Sequence, residues 1–327
     1  MHFEPLRPHR SFGAAEKYEF THGERSVCVY DIDSMDFVKE IEVGTFPDCH
    51  ATSVDGKYLY IACFEGIYVI SIEKLAVEKV IDTGRVYATN TLADDDTLLV
   101  HDLCGGVQLI KNITDMDKIH IHSRTQVIPN GQFRCEIGGK GNFIENGRYY
   151  LCSGWKQSKM YLFDVKNDFT FETFIDVDPR LMGSDDLVIN ADKTKAYTAS
   201  HCGNEIKAHV SVIDIPGKKI LGTIETGVGS CGLTMTGDER YVACSNDQDD
   251  SISVIDTTID KVVNTPCARE GFDSLGITGY IQGISAGTDD SIFVYGCQGN
   301  GALVRFFDVD RANKYVISWK GGKYYSR

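Results

Sequence analysis

The chain has 327 residues, with 33 Lys and Arg against 47 Asp and Glu and a formal net charge of −14 at pH 7. Hydrophobic residues make up 42% and charged residues 24%, enough apolar material for a large core and too little charge for a disordered chain. The acidic balance, with no dense Lys/Arg run to offset it, excludes the sequence-independent attraction to nucleic acid or anionic lipid that a basic field supplies.

No stretch approaches the roughly 18 uninterrupted apolar residues of a membrane span. The opening Met1-His2-Phe3-Glu4-Pro5 lacks the apolar segment of a secretory signal. Both observations predict a cytoplasmic protein that engages no membrane. The 11 cysteines form no CxxC pair, and several stand inside strand-like runs where a thiol packs as a small hydrophobe. Most are expected to be reduced and buried.

In chain order, short alternating strands succeed one another with no long helical pattern between them. Ser26–Tyr30 and Phe37–Val43 come first. Ala51–Val54 and Tyr58–Ala62 follow, joined by the hairpin turn Asp55-Gly56-Lys57, where glycine accepts positive φ. Later come Thr89–Leu92 with Thr97–His101, Asn142–Ile144 with Tyr149–Cys152, and Leu187–Ile189 with Ala196–Ser200. Gly232–Met235 with Tyr241–Cys244 and Ile284–Ala286 with Ser291–Tyr295 complete the set. After each such pair stands a recurring phrase, clearest as Ser251-Ile252-Ser253-Val254-Ile255-Asp256 followed by Lys261-Val262-Val263 and repeated at Val210–Asp214 with Lys219–Ile224. Its last strand position anchors the units at Asp31, Ser71, Lys111, Asp164, Asp214, Asp256 and Asp308, at intervals of 40 to 53 residues.

Each unit reads as four antiparallel strands: inner, second, third and outer. Small twisted sheets of this kind bury both faces by packing around an axis, so the fold class predicted is all-β, a seven-bladed β-propeller of four-stranded antiparallel sheets. Residues 1–327 are expected to form a single propeller domain. The N-terminal segment 1–24, around Ser11–Gly13 and Tyr18–Thr21, or part of the C-terminal half, is expected to complete the first blade and close the ring.

The phrase Ser211-Val212-Ile213-Asp214 with Leu221-Gly222-Thr223-Ile224-Glu225-Thr226-Gly227, and Asp55-Gly56-Lys57-Tyr58-Leu59-Tyr60-Ile61-Ala62, resembles the YVTN-type β-propeller repeat. The likeness covers nearly the whole chain and extends to lactonase-like seven-bladed propellers. It implies the fold; the repeat is a structural signature and carries no reaction with it. Where the repeat commonly places asparagine after the second strand, this chain has Cys63, His201 and Asn246.

In such a ring the loops that enter inner strands and those that leave second strands meet at one mouth of the channel, a common location for recognition and catalysis. His50, His101 and His201 fall at strand ends on that face, where imidazole transfers protons near neutral pH or ligates a metal. Glu136, Arg134 and Tyr87 join them as catalytic candidates, the arginine as a planar fork for anionic oxygen and the tyrosine as a hydroxyl donor. Arg85, Trp155, Asp185, Asp186 and Tyr280 are the substrate-binding candidates. No cofactor signature is present, neither a nucleotide-binding glycine fingerprint nor a G-x-S-x-G elbow nor HExxH. A divalent metal stays open through the three histidines. Cys49 beside His50 and Cys202 beside His201 raise a thiol nucleophile, for which neighbourhood in sequence is not enough. His22 reads as a weak candidate, and His120 and His122 as surface residues of an outer strand. The run Asn246-Asp247-Gln248-Asp249-Asp250 has the composition of a calcium loop without EF-hand spacing and reads as a solvated turn. The expected function is a small-molecule enzyme with an acid–base site at the channel mouth, a lactonase-like hydrolase or a lyase or isomerase on an oxygenated and anionic substrate. The alternatives are a non-catalytic binding or scaffold propeller and a metal-dependent propeller enzyme.

Overall fold

The computed structural model describes residues 17–326 except 48, 54, 85, 92–96, 103–105, 114, 116, 126–140, 146, 155–157, 178–185, 200–206, 278–280, 288, 290, 297–300 and 310–313. For strand residues 86–91, 102, 106, 123–125, 207, 282 and 296 the description covers the backbone only. Among the described residues, 28 strands form seven antiparallel sheets, each built from consecutive strands.

Blade 1 comprises β1 (Tyr18–His22), β2 (Ser26–Asp31) and β3 (Phe37–Glu42). Blade 2 comprises β4 (His50–Thr52), β5 (Tyr58–Cys63), β6 (Gly66–Ser71) and β7 (Ala76–Ile81). Blade 3 has β8 (Val86–Thr91), β9 (Thr97–Asp102), β10 (Gly106–Lys111) and β11 (His120–Thr125). Blade 4 has β12 (Gly141–Ile144), β13 (Tyr149–Ser153), β14 (Lys159–Asp164) and β15 (Thr170–Asp176). Blade 5 follows with β16 (Asp186–Ile189), β17 (Lys195–Ala199), β18 (Lys207–Asp214) and β19 (Lys219–Val228). Blade 6 contains β20 (Ser230–Met235), β21 (Tyr241–Asn246), β22 (Ser251–Asp256) and β23 (Lys261–Asn264), and a helix, α1 (Arg269–Leu275), leads out of it. Blade 7 has five strands: β24 (Ile281–Ala286), β25 (Ile292–Gly296), β26 (Leu303–Phe306), β27 (Tyr315–Trp319) and β28 (Gly322–Tyr325).

The recurring phrase is turn chemistry. At the end of the third strand, a carboxylate oxygen of Asp31, Asp164 and Asp214 accepts the N–H three residues on, from Ser34, Asn167 and Gly217 at 2.9, 3.1 and 3.0 Å. Asp256 accepts from Thr258 at 2.9 Å, and in blade 2 the Ser71 hydroxyl accepts from Lys74 at 3.2 Å. These short polar side chains satisfy backbone donors that the turn leaves unpaired. The ladder from third to outer strand slips by one residue just before the anchor in these same five blades. Such a bulge bends the strand and sharpens its twist. Blade 3, whose anchor is Lys111, has no slip. The expected anchor Asp308 is displaced: β26 stops at Phe306, and Asp308 is an exposed turn residue with φ +48°.

Seven apolar clusters fill the gaps between neighbouring blades. Between blades 1 and 2, Phe20, Val27 and Val29 meet Leu59, Ile61 and Ile70. Between blades 7 and 1, Phe293, Leu303 and Val316 meet Cys28, Tyr30 and Met35, which closes the ring by side-chain packing. Each large apolar side chain buried in this way contributes about 1.5–3 kcal/mol. The seam also carries polar links. The Thr21 and Tyr30 hydroxyls both donate to the Gly301 carbonyl at 2.7 Å, and Ser285 donates to Glu19 at 2.9 Å. The C-terminal β28 does not enter blade 1; it adds a fifth strand to the outer edge of blade 7, and Lys320 and Lys323 reach Glu40 and Asp36 of blade 1, each at 2.6 Å. Of the N-terminal expectation, Tyr18–Thr21 is strand β1, while Ser11–Gly13 lies outside the described residues.

Candidate functional site

Blades 2 to 7 begin with their inner strand, and blade 1 is described from its second strand, β1, onward. The starts of inner strands and the ends of second strands therefore share one end of the ring, here called the upper face. His50 opens β4 opposite Ile61, near the end of β5, and is buried. Its Nδ1 lies 2.8 Å from Nε2 of His22, the last residue of β1, and the two rings meet edge to face with centroids 5.0 Å apart. His22 in turn packs against the Tyr295 ring of blade 7 at 5.2 Å. His22, set aside in the sequence, is thus the hydrogen-bond partner of His50. The contact crosses from one blade to the next, and only the packed ring creates it. One hydrogen occupies the space between these nitrogens.

His101 stands at the penultimate position of β9 and is fully buried. Its Nε2 lies 2.8 Å from the hydroxyl of Tyr150 on β13, in the neighbouring blade. Tyr150 is held by rings on several sides, Phe143 at 4.9 Å, His101 at 5.6 Å and Phe169 at 5.8 Å. Burial, reinforced by the Cys152 and Cys49 thiols, pushes its phenol well above the ordinary tyrosine range, so the hydroxyl keeps its proton. Gly141 makes the arrangement feasible, because a Cβ there would clash with Cζ and the hydroxyl oxygen of Tyr150 and stand 2.8 Å from Cys152 Cβ. A buried imidazole joined to a neutral phenol can pass a proton or present it to a developing oxyanion.

Asp186 opens β16 and is buried. Its two carboxylate oxygens accept the backbone N–H groups of Leu187 at 2.8 Å and of Leu233, in blade 6, at 3.0 Å. A carboxylate so engaged ties blade 5 to blade 6. Tyr87 lies on β8, where only the backbone is described. His201, Glu136, Arg134, Arg85, Trp155, Asp185 and Tyr280 lie outside the described residues.

The acidic run after β21 differs from the solvated turn expected. Asn246, Asp247 and Asp250 are buried. The Asn246 amide donates to the hydroxyls of Ser251 at 2.9 Å and Ser253 at 3.0 Å and accepts from Ser230 at 2.9 Å. Asp249 accepts from the Val228 N–H at 3.1 Å, and Asp250 accepts from the Ile281 N–H at 3.2 Å and pairs with Arg269 of α1 at 2.9 Å. Asp249 and Asp250 satisfy backbone donors at the end of β19 and the start of β24, which draws this run inward. Among the described residues no group of three or more His, Cys, Asp or Glu is arranged to hold a metal ion. Cys28, Cys63, Cys152, Cys231 and Cys244 are buried as small hydrophobes, as expected. His120 and His122 lie on outer strand β11, with His122 3.8 Å from Asp168 at the surface. No described helix is long and apolar enough to cross a membrane.

Fold and seam define an all-β, seven-bladed propeller. No protein-family model matches the sequence, and no curated protein is similar enough to count as a relative. Solved structures do resemble it. The β-propeller domain of Cps50 (Swd1) from Myceliophteria thermophila superposes with a TM-score of 0.70 at 9% identity, over 91% of this chain and 95% of that one. Kuenenia stuttgartiensis hydrazine synthase gives 0.69 at 13% identity, over 95% and 99%. The dihydro-heme d1 dehydrogenase NirN, solved with DHE, gives 0.62 at 16% identity, over 97% of this chain and 67% of that one. Identities this low establish a shared fold, which includes enzymes, and leave the chemistry to the residues of each chain.

Proposed function

We propose that this protein is a small-molecule enzyme whose acid–base site lies at the upper mouth of the ring and opens an oxygenated, lactone-like substrate by hydrolysis. The observation that carries the reading is the pair of buried couples at one end of the ring, His22–His50 and His101–Tyr150. Four titratable rings in two hydrogen-bonded couples are what proton transfer to and from a substrate oxygen requires. In this reading one imidazole activates water and the Tyr150 hydroxyl faces the oxyanion. His201, Glu136, Arg134 and Tyr87 complete the catalytic set, and Arg85, Trp155, Asp185 and Tyr280 contact a substrate that is organic and anionic. A lyase or isomerase reaction uses the same groups without water. The cytoplasm is the proposed location.

The test is turnover of dihydrocoumarin and δ-valerolactone by wild type and by His50→Ala, His101→Ala and Tyr150→Phe, with folding checked by circular dichroism. Loss of a general acid or base is expected to lower kcat by about 10²-fold or more. Unchanged kcat in all three folded variants would remove these couples from catalysis and favour a binding propeller.

A further inference from the structure

The upper face carries a second feature besides the histidine couples. Phe46, in the connection from blade 1 to blade 2, is 57% exposed, and Phe64, at the tip of the β5–β6 hairpin, is 39% exposed. Their rings stack with centroids 5.2 Å apart and planes 24° from parallel. Two large aromatic faces are thus held together in water, where apolar area is ordinarily hidden.

The backbone under the pair is specified. Phe46 has φ +55°, the left-handed region that a bulky side chain enters only at a cost and that persists where the surroundings enforce it. The enforcement is visible. The Glu65 carboxylate accepts both the Thr45 N–H at 2.8 Å and the Thr45 hydroxyl at 2.5 Å, and the Phe64 N–H donates to the Thr45 carbonyl at 3.0 Å. Gly44 lets the loop lie against the hairpin, since a Cβ there would strike Glu65 and stand 2.7 Å from the Tyr68 ring. The same connection runs on to Cys49, whose carbonyl accepts the Ala62 N–H at 2.9 Å, and then to His50. Ile61, the strand partner of His50, stands three residues before Phe64, roughly 10 Å along an extended chain.

A clamped loop holds stacked phenyl rings in solvent, four residues along the chain from His50 and three from its strand partner Ile61, and has the form of a recognition surface. We infer that Phe46 and Phe64 form an aryl subsite, so that the molecule bound at this mouth carries a planar aromatic ring beside its oxygenated group. Flat faces select a flat ring: phenyl stacks on them, whereas a saturated ring of the same size touches them only through its puckered edges. The inference deepens the acid–base reading by naming the substrate class, and binding tests it without turnover.

The probes are phenylpropionate, which has the ring-opened skeleton of dihydrocoumarin without its phenol hydroxyl, and cyclohexylpropionate, its more hydrophobic saturated counterpart. Both are titrated by isothermal calorimetry and by proton NMR of the phenylalanine rings. The expected result is tighter binding of phenylpropionate and a weakening by about fivefold in Phe46→Ala and in Phe64→Ala, with cyclohexylpropionate little changed. Phe46→Gly accepts the positive φ without penalty and gives the same loss in a variant whose loop is relaxed. Equal binding of the two acids, no saturable binding of either, or unchanged affinity in all three variants would overturn the assignment. So would a dimer by light scattering that the same substitutions dissolve, which would make the pair a contact between copies. Phenylpropionate binding without hydrolysis of dihydrocoumarin or δ-valerolactone would count against lactone opening and leave the aryl subsite standing.

Discussion

Replacing Gly141 by alanine probes whether the His101–Tyr150 couple is as tightly built as the structure indicates. The added methyl would clash with Cζ and the hydroxyl oxygen of Tyr150 and lie 2.8 Å from Cys152 Cβ. Tyr150 is fully buried, with Phe143, Phe169 and His101 around it, so the ring has nowhere to yield without disturbing its neighbours. Overpacking a filled core costs about 1–3 kcal/mol. Displacing the hydroxyl from His101 Nε2 adds about 1 kcal/mol, the net worth of an ordinary hydrogen bond. Gly141→Ala should therefore destabilise by about 2–4 kcal/mol in urea unfolding, with loss of the His101–Tyr150 contact in a structure of the variant. A second substitution checks the mechanism. Tyr150→Ala alone should cost about 3–5 kcal/mol, but in the Gly141→Ala background the new methyl enters the space the ring has left, so the costs should fall short of additivity by about 1–3 kcal/mol. Strict additivity, or a loss below about 1 kcal/mol for Gly141→Ala, would refute the account of how this couple is positioned.

Three further outcomes follow from the same geometry. Asp186→Ala leaves the buried N–H groups of Leu187 and Leu233 without their carboxylate and should cost about 3–5 kcal/mol in chemical denaturation; a loss near zero would show that blades 5 and 6 do not depend on it. Desolvation holds Asp250 above the ordinary aspartate pKa even though Arg269 opposes it, so its contribution is complete at low pH and is lost as pH rises through the folded value. Wild type should therefore gain stability relative to Asp250→Asn as pH falls from about 7 to about 4, and a constant or reversed gap in urea titrations would contradict this. Burial pushes the Cys28 thiol up to about 11 and those of Cys63 and Cys244 up to about 12. Iodoacetamide at about pH 8 should thus modify exposed Cys267 well before these three, as read by peptide mass mapping, and uniform labelling would show that the blades open.

The blades themselves were readable because their determinants are local. An alternating run, a turn aspartate and a short outer strand lie within a few dozen residues, and the side chain that makes Asp31, Asp164, Asp214 and Asp256 recur is the one that accepts a turn N–H. The departures had local causes too. Helix α1 is weakly signalled, by Glu270 in its first turn and Gly276 in the left-handed conformation at its end, with no side-chain cap at the start. The run Asn246–Asp250 reads as solvated by composition, yet its side chains turn inward to meet backbone donors at the ends of strands β19 and β24.

Sequence by itself determined the seven units, their antiparallel order and the end of the ring at which His50 and His101 would stand, since alternation and turn chemistry depend on near neighbours. Tertiary structure decided the partners: His22 for His50 across 28 residues, Tyr150 for His101 across 49, and Gly301 for Thr21 and Tyr30 across 280 and 271. Each of these contacts joins one blade to the next, and the last two join blade 7 to blade 1. They come into being only when apolar faces pack around an axis, which no local stretch of the chain encodes.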